Sequence, residues 1–278
     1  MNPRIRTMLA LGALGALALP GAAGAHDRSS TNSVRAHLRS ADSALERVAD
    51  RVREHDEAAA AVAFARNRLE MRRAQAEAAR VQRRDAAAGA RAQRAVARGQ
   101  DAAADAYIAL VDEATGDVQV QVAKAAAASL KGRDRALAEL ARLAAELPEP
   151  ARAGIARAIA ALSGDGSAQV EQLRAARAGA PADVRPWIEF AMAQATAGLL
   201  TAASQLEALI PQLPAQAQPH VQGALDRVTG ALAQVGATLE GIFGPSATGG
   251  AGGLPIPQLP IPFELPIPKL PIPFGSNG

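Results

Sequence analysis

The sequence predicts an all-α protein. We expect a long N-terminal coiled-coil-like helix, then antiparallel helical hairpins in 33-residue repeats punctuated by proline, and finally an extended proline-rich C-terminal tail. Three observations lead to this prediction. Alanine, the strongest helix former, is abundant among the 278 residues, whereas aromatic residues, which favour strands, make up only 3%. Apolar residues recur at steps of three and four near the N-terminus, and prolines recur at a fixed interval further on.

Residues 1–25 have the layout of a secretory signal peptide. Arg4 and Arg6 provide a basic start, residues 8–19 form an apolar stretch, and Ala23-Gly24-Ala25 fits the small-residue cleavage site. The apolar stretch is shorter than the roughly twenty residues needed to span a bilayer. We therefore expect cleavage after Ala25 and a secreted or cell-envelope-associated protein. A retained N-terminal anchor is the alternative.

Export and the lack of cysteine argue against several classes of chemistry. ATP-driven reactions and nucleotide cofactors are not expected outside the cytoplasm, and zero cysteines leave no disulfide, thiol nucleophile or thiolate metal site. Without the two signal-peptide arginines the chain has 28 basic and 27 acidic side chains, a net charge of about +1. The high pI therefore does not indicate a nucleic-acid-binding protein.

Residues 26–165 are predicted to form an Ala/Arg-rich helical domain that opens with one long helix. Residues 26–32 are polar and expected to fray, and Ser33 is a plausible N-cap. The helix should run from Ser33 into the 80s and pack as a coiled coil or antiparallel hairpin, because a heptad seam spans four heptads without Gly or Pro. The seam positions are Val34, Leu38, Ala41, Leu45, Val48, Val52, His55, Ala59 and Val62.

Shorter helices are predicted to complete this domain. Gly89 and Gly99 indicate breaks, and helices are expected over 101–115 and 118–130, with a turn at 115–117. Tyr107 and Leu110 should point inward. The sequence KGRD at 131–134 is interpreted as a second break, with Asp134 capping the helix that follows.

Residues 166–243 are predicted to be a helical repeat region that continues a pattern begun at residue 140. The segment 140–164 aligns without gaps with 206–230, 66 residues later, and 173–197 lies halfway between them. Pro148, Pro181 and Pro214 occupy equivalent positions at intervals of 33 residues. Because proline cannot continue a helix but suits its first turn, each unit should consist of a helix, a turn and a second helix. The heavy core residues of this half are expected to be Trp187, Phe190 and Phe243, and Trp187→Ala should be among the costliest substitutions.

The C-terminus is predicted to lie outside the folded body. Residues 244–253 form a Gly-rich linker, and residues 254–278 form a tail containing LPIPQLPIPFELPIPKLPIPFG. Prolines exclude a helix there and favour an extended polyproline conformation. The Leu, Ile and Phe side chains suggest that a partner, or a groove of the body, covers the tail. Deleting 254–278 is expected to leave helicity and melting temperature nearly unchanged.

The segment LARLAAELPEPARAGIARAIAAL resembles an uncharacterised Ala-rich helical domain. That domain is found in exported and membrane-anchored proteins of high-GC Gram-positive bacteria, sometimes as the extracytoplasmic part of anti-sigma factors. The resemblance covers about residues 40–165 and implies no catalytic residues. Only seven residues precede the apolar run, too few for a cytoplasmic sigma-binding segment, so a direct anti-sigma role is not expected. The matching positions are Leu140, Leu143, Leu147, Pro148, Ala151, Gly154, Ile155, Ala158 and Ile159.

The titratable residues indicate no enzyme, metal site or cofactor. The four histidines, His26, His37, His55 and His220, show no ligand spacing. Copper chelation by His26 at a processed N-terminus is a minor alternative, and His55 on the seam is interpreted as setting helix register. The paired carboxylates at 56–57 and 112–113 lack an aromatic platform for a sugar.

The best binding candidate is the Arg-rich stretch 66–98. Its ten arginines suit an anionic envelope polymer or lipid headgroups, whereas the lack of interleaved aromatic residues argues against nucleic acid. The alternative is a solvated helix face in an Arg-biased genome. The candidates are Arg66, Arg68, Arg72, Arg73, Arg80, Arg83, Arg84, Arg91, Arg94 and Arg98.

These features favour an exported, non-enzymatic helical scaffold or binding protein that engages a protein or a cell-envelope partner. An amphipathic membrane-surface protein is the first alternative, because Ala/Leu faces bordered by arginine suit lipid binding. An extracytoplasmic sensory or regulatory domain is the second, and it requires an uncleaved N-terminus. The sequence leaves open the partner, the oligomeric state and the surface on which the tail docks.

Overall fold

The computed structural model describes residues 25–163 and 166–243, and within these ranges the fold is all-α, as predicted. The helices are α1 (Ala25–Arg53), α2 (Glu57–Gln82), α3 (Ala86–Leu110), α4 (Gly116–Ala144), α5 (Glu149–Ser163), α6 (Gly166–Gly179), α7 (Arg185–Leu209) and α8 (Gln218–Phe243). A 3-10 turn, Ile210–Gln212, follows α7. The predicted signal peptide, Gly-rich linker and Pro-rich tail lie outside the described residues.

The single long N-terminal helix is a wrong prediction, because the chain turns at residues 54–56. His55 has a φ of +56°, in the left-handed region, and the Asp56 carboxylate accepts a hydrogen bond of 3.0 Å from the Ala59 amide to begin α2. His55 therefore lies in a turn and does not set register. Val62, assigned to the seam, is 71% exposed.

The first part of the seam is confirmed within α1, which begins at Ala25 rather than at Ser33. Four seam positions are buried and two are half-buried against the core, and together they face α2 and α3. On α2 the buried face follows a different set of positions, so the seam does not continue through the turn. The six confirmed positions are Val34, Leu38, Ala41, Leu45, Val48 and Val52.

The two glycine breaks are also wrong, because α3 runs without interruption through Gly89 and Gly99. A Cβ on Gly89 would lie 2.5 Å from the Cα of Gln82, and a Cβ on Gly99 would lie 2.8 Å from a methyl group of Leu38. These glycines permit neighbouring helices to approach closely, and their helix-breaking tendency is overridden by tertiary packing.

The predicted break at KGRD, residues 131–134, is wrong, because α4 continues through it. Asp134 therefore lies inside the helix and is not an N-cap residue. The turn predicted at 115–117 lies a few residues earlier, at 111–115. Helix α3 ends at Leu110 rather than near residue 115, and α4 begins at Gly116, which has a φ of +55° that suits glycine. Tyr107 and Leu110 are buried, as expected.

The three repeat prolines each lie in a connection between helices. Pro148 precedes α5, Pro181 lies between α6 and α7, and Pro214 lies between the 3-10 turn and α8. Helices α5 to α8 contain 15, 14, 25 and 26 residues, so the elements around these prolines are unequal in length. The strict 33-residue repeat and the coiled-coil geometry stay predictions.

Helix α4 lies at the centre of the fold, where it packs against α2, α3, α5 and α7. Its inner face is rich in alanine, including the fully buried Ala123 and Ala126, so neighbouring backbones approach closely. One hydrophobic cluster continues from Val34 to Val235 and joins both sides of the predicted domain boundary at residue 165.

Trp187 and Phe190 were predicted to be large core residues, but neither side chain is fully buried. Both are half-buried at the edge of the core, with their rings edge-to-face at 6.4 Å. The ammonium group of Lys124 lies 4.3 Å from the Trp187 ring centroid. The large, fully buried side chains are instead aliphatic, apart from Met192, Tyr107 and Arg133.

Candidate anion-binding surface

The ten candidate arginines lie on two neighbouring helices. Arg66, Arg68, Arg72, Arg73 and Arg80 belong to α2, Arg83 and Arg84 follow its C-terminal end, and Arg91, Arg94 and Arg98 belong to α3. They form two groups: some are ion-paired with carboxylates, and for others no ion pair with a carboxylate is seen among the described residues.

Glu70 holds two of the arginines on α2. Its side chain is only 3% exposed, and its carboxylate lies 3.3 Å from Arg66 and 3.0 Å from Arg73. His37 of α1 donates a 2.8 Å hydrogen bond to the other oxygen. The bond from His37, aided by both arginines, lowers the pKa of Glu70 despite its burial. These arginines therefore support the α1–α2 packing, and Arg80 is paired with Glu77 at 2.8 Å.

Four arginines at the α2 surface are exposed and have no carboxylate partner within the described ranges: Arg68, Arg72, Arg83 and Arg84. The two largest exposed hydrophobic residues of this part of the chain, Val62 at 71% and Leu69 at 42%, lie on the same helix. Helix α2 thus presents an outer surface that is both cationic and partly apolar. We call the four arginines, together with Val62 and Leu69, the α2 surface.

On α3, Arg94 is half-buried in cationic surroundings. Its Nε atom is buried and has no hydrogen-bond partner, and its cationic neighbours are Arg98 of the same helix and Arg157 of α5. Burial, reinforced by repulsion from these two neighbours, lowers the pKa of Arg94. The candidate Arg91 is also half-buried on this helix.

An open groove of about 400 Å³ lies between α5 and α8 and is lined by Arg157, Pro219, His220, Gly223 and Arg227. On α8 the residues 220, 223 and 227 share one face because they are separated by three and four positions. Gly223 leaves the groove floor open, since a Cβ there would meet no atom within 4 Å. Arg157 belongs both to this groove and to the cationic neighbourhood of Arg94. We call this groove, with its cationic neighbours, the basic groove: Arg157, His220 and Arg227 line it, and Arg94 lies beside Arg157 with Arg98 near it on α3.

A separate polar cluster is buried where α3, α4, α6 and α7 meet. The Arg133 side chain is 1% exposed and donates to Asp101 at 2.8 Å, to Gln169 at 2.9 Å and to Asp134 at 3.3 Å. Gln169 in turn donates to Asp101 at 3.2 Å and to Asp105 at 2.7 Å. A network of this kind ties α3, α4 and α6 together.

Burial and neighbouring charges shift the pKa values of Asp134 and Arg133 in this cluster. Burial raises the pKa of Asp134 to about 6, although Arg133 opposes the shift. Burial also works against the charge on Arg133, but Asp134 and Asp101 outweigh it, and the pKa of Arg133 is raised. The residues of the cluster line neither the groove at Arg157 nor the cavity at His55, and the cluster is interpreted as structural.

The other candidate groups have structural contacts. The paired carboxylates at 112–113 include Glu113, which accepts a 2.9 Å hydrogen bond from Arg53. His55 borders a cavity of only about 20 Å³. In the described ranges, no group of three or more His, Cys, Asp or Glu residues is arranged to hold a metal ion. Among the helices of the described ranges, none is long and apolar enough to cross a membrane.

Sequence analysis found two members of the basic groove as binding candidates and missed three. Arg157, His220 and Arg227 are separated from Arg94 by more than 60 residues, and each is an isolated cation in an Ala-rich helix. Only the packing of α5 beside α3 and α8 brings them together. A local signal did exist for Arg133, because it interrupts the inward stripe between Leu130 and Leu137.

The comparisons with known proteins add no relative. No protein-family model, curated protein or solved structure matches this chain. The resemblance to an exported Ala-rich helical domain therefore stays a prediction, and the functional argument depends on the chain's own residues.

Proposed function

We propose that this chain is an exported, non-enzymatic helical protein that binds an anionic polymer of the cell envelope. The observation that carries the proposal is the set of exposed arginines without carboxylate partners on the α2 surface. The chain as a whole is close to neutral, so this surface concentrates positive charge locally. Unpaired guanidinium groups bind carboxylate and phosphate oxygens through two parallel hydrogen bonds.

The division among the arginines supports a binding role over a uniformly solvated face. Three arginines of α2, Arg66, Arg73 and Arg80, are held by the carboxylates of Glu70 and Glu77. In the part of the chain that the structure describes, the four arginines of the α2 surface have no carboxylate partner and are exposed. A polymer with repeated negative charges would contact several of them at once and gain from multivalency.

The test is binding of the full chain to long-chain polyphosphate and to poly-L-glutamate, followed by light scattering and titration calorimetry. The Arg68→Gln, Arg72→Gln, Arg83→Gln, Arg84→Gln variant is expected to lose most of the affinity. The matched control removes four exposed arginines elsewhere, Arg35, Arg39, Arg47 and Arg135, and should retain it. Binding should also weaken steeply with salt. Equal affinity of the two variants, or no binding by the wild type, would refute the proposal.

The α2 surface also favours the membrane-surface alternative. Val62 and Leu69 are exposed beside arginines, an arrangement typical of helices that lie in the lipid headgroup region. Flotation with vesicles of phosphatidylglycerol and phosphatidylcholine distinguishes the two functions. If the protein binds membranes, the Val62→Ser, Leu69→Ser double variant should lose vesicle binding. If the protein binds an anionic polymer instead, the same variant should bind the polymer like wild type.

A further inference from the structure

We infer that the basic groove is a discrete binding site for a phosphate group. The groove combines Arg94 and Arg98 of α3 with Arg157 of α5 and with His220 and Arg227 of α8. It is separate from the α2 surface. The inference deepens the proposed function, on which it rests for the biological origin of the ligand, but the chemistry of the groove is argued from its own residues.

The first step is that the cations converge on one place. Arg157 is close enough to Arg94 to oppose its charge, and Arg157 also lines the open groove opposite Arg227. Residues of α5 and α8 thus border one open volume of about 400 Å³, which exceeds the size of a phosphate group many times, and Arg94 of α3 lies next to Arg157. Gly223 and Pro219 contribute little side-chain volume, so the cations have room for a ligand between them.

The second step is that the protein itself does not neutralise these charges. Within the described ranges no carboxylate lies within ion-pair distance of any of the four arginines, in contrast to Arg66, Arg73 and Arg80. The nearest acidic residue along α8, Asp226, accepts a 3.1 Å hydrogen bond from Gln222 and does not line the groove. Like charges held together without a counter-charge destabilise a fold, and an anion removes that cost.

The third step is the unsatisfied donor. The Nε atom of Arg94 is buried and unpaired, whereas buried polar atoms in folded proteins nearly always have partners. Arg157 donates from its own Nε only to the Ala153 carbonyl, at 3.3 Å, which leaves its terminal nitrogens available. Arg157 therefore offers donors to an acceptor in the groove, and the adjacent Arg94 has a buried donor without a partner among the described residues.

The number and directions of these donors favour phosphate over carboxylate. A carboxylate has two oxygens and one negative charge, and a single arginine satisfies it in a bidentate pair. Here two guanidinium groups and an imidazole line the groove from two helices, and Arg94 of α3 places a third guanidinium group beside Arg157. A phosphate group accepts hydrogen bonds from several sides and can carry up to two negative charges, so it matches this arrangement better.

The test uses pyrophosphate as the probe and titration calorimetry on the full chain. Wild type should bind it saturably. Arg157→Gln and Arg227→Gln should each weaken binding about tenfold, since each removes a charge-assisted hydrogen bond. Arg47→Gln, an exposed arginine of α1 that removes the same charge, should bind like wild type. Both groove arginines are exposed, and circular dichroism will verify that the variants retain their helicity.

Three results would overturn the inference. They are the absence of saturable pyrophosphate binding, equal affinities of the groove variants and the Arg47→Gln control, and citrate binding as tightly as pyrophosphate. The proposed function is tested with the α2-surface variant and this inference with the groove variants, so a failure of one can be distinguished from a failure of the other. Arg157→Gln assayed on phosphatidylglycerol vesicles identifies the source: lost vesicle binding indicates a lipid headgroup, and retained vesicle binding with lost pyrophosphate binding indicates a soluble or polymeric phosphate.

Discussion

Replacing Arg133 by methionine tests the interpretation that the buried polar cluster holds α3, α4 and α6 together. Methionine roughly preserves the length and volume of the aliphatic part of arginine, so the cavity that it leaves is small. What the substitution removes is the positive charge and the donors to Asp101, Asp134 and Gln169. The effect therefore reports on electrostatics and hydrogen bonding rather than on lost packing.

The expected loss of stability follows from the carboxylates that the substitution leaves without a cation. Removing one partner of a buried ion pair leaves a carboxylate that is desolvated and uncompensated, which costs about 3–5 kcal/mol. Asp101 and Asp134 both lose their cation, and Gln169 loses one of its partners. We expect Arg133→Met to lower the free energy of unfolding by about 3–5 kcal/mol at pH 7.5. With a urea slope of about 3 kcal/mol per M, the midpoint falls by about 1–1.7 M.

The loss should depend on pH with a definite sign. A carboxyl group whose pKa is higher in the folded than in the unfolded protein favours folding when it is protonated. The contribution of Asp134 is therefore fully present below its ordinary value of 3.8 and is lost as pH rises through about 6. Without Arg133 that folded-state pKa rises further, so the variant recovers more stability than wild type on acidification. At pH 5 its deficit should be smaller by at least about 1 kcal/mol.

Urea titrations of both proteins at pH 7.5 and pH 5, followed by circular dichroism at 222 nm, measure the two quantities. Arg135→Met, two positions along α4 and exposed, is the matched control and should change the midpoint little. A loss below about 1 kcal/mol at pH 7.5 would show that the cluster is not structural. An equal loss at both pH values would show that the carboxylates do not carry the cost.

Five further substitutions test other features of the structure. Asp134→Asn should flatten the decline in stability between pH 4 and pH 6.5, measured by thermal melts, because the group with the raised pKa is gone. Gly198→Ala should cost about 2 kcal/mol in urea titrations, since a Cβ would lie 2.9 Å from the Arg133 guanidinium and closer still to a carboxylate oxygen, whereas Gly154→Ala, with open space around it, should stabilise by about 0.5–1 kcal/mol. Arg94→Met should raise the melting temperature by a few degrees, about 1 kcal/mol, because an unpaired buried donor and a repelled charge disappear, and an unchanged or lower value would contradict this. Trp187→Ala should cost about 2 kcal/mol, less than a fully buried tryptophan, and a loss above about 4 kcal/mol would contradict its half-buried placement.

The helical class and the first seam were predictable because they depend on local composition and spacing. Alanine content favours helix everywhere, and the spacing from Val34 to Val52 fixes which face of α1 is buried. The turn after Arg53 lacked both glycine and proline. Its only signal was the polar run Glu54-His55-Asp56-Glu57, in which Asp56 is a good N-cap residue.

The glycine and KGRD predictions failed for one physical reason. Local propensity treats glycine as a breaker, but Gly89, Gly99 and Gly132 lie where two helices approach too closely for a Cβ. That requirement exists only in the folded chain. The basic groove was not predicted for a similar reason. Arg157 and Arg227 lie on helices that are far apart in the sequence, and only tertiary packing brings them together.

The alanine-lined interfaces around α4 have a consequence for how this protein can change. In a leucine-rich core, shortening a side chain is the usual injury, because it opens a void. Here the buried side chains, such as Ala123 and Ala126, are already near the minimum size, and the helix spacing is set to match. Enlargement is therefore the greater hazard, as added methyl groups force backbones apart. We therefore expect these positions to tolerate only Ala, Gly and Ser, whereas the arginine-bearing outer faces should tolerate a wider range of side chains.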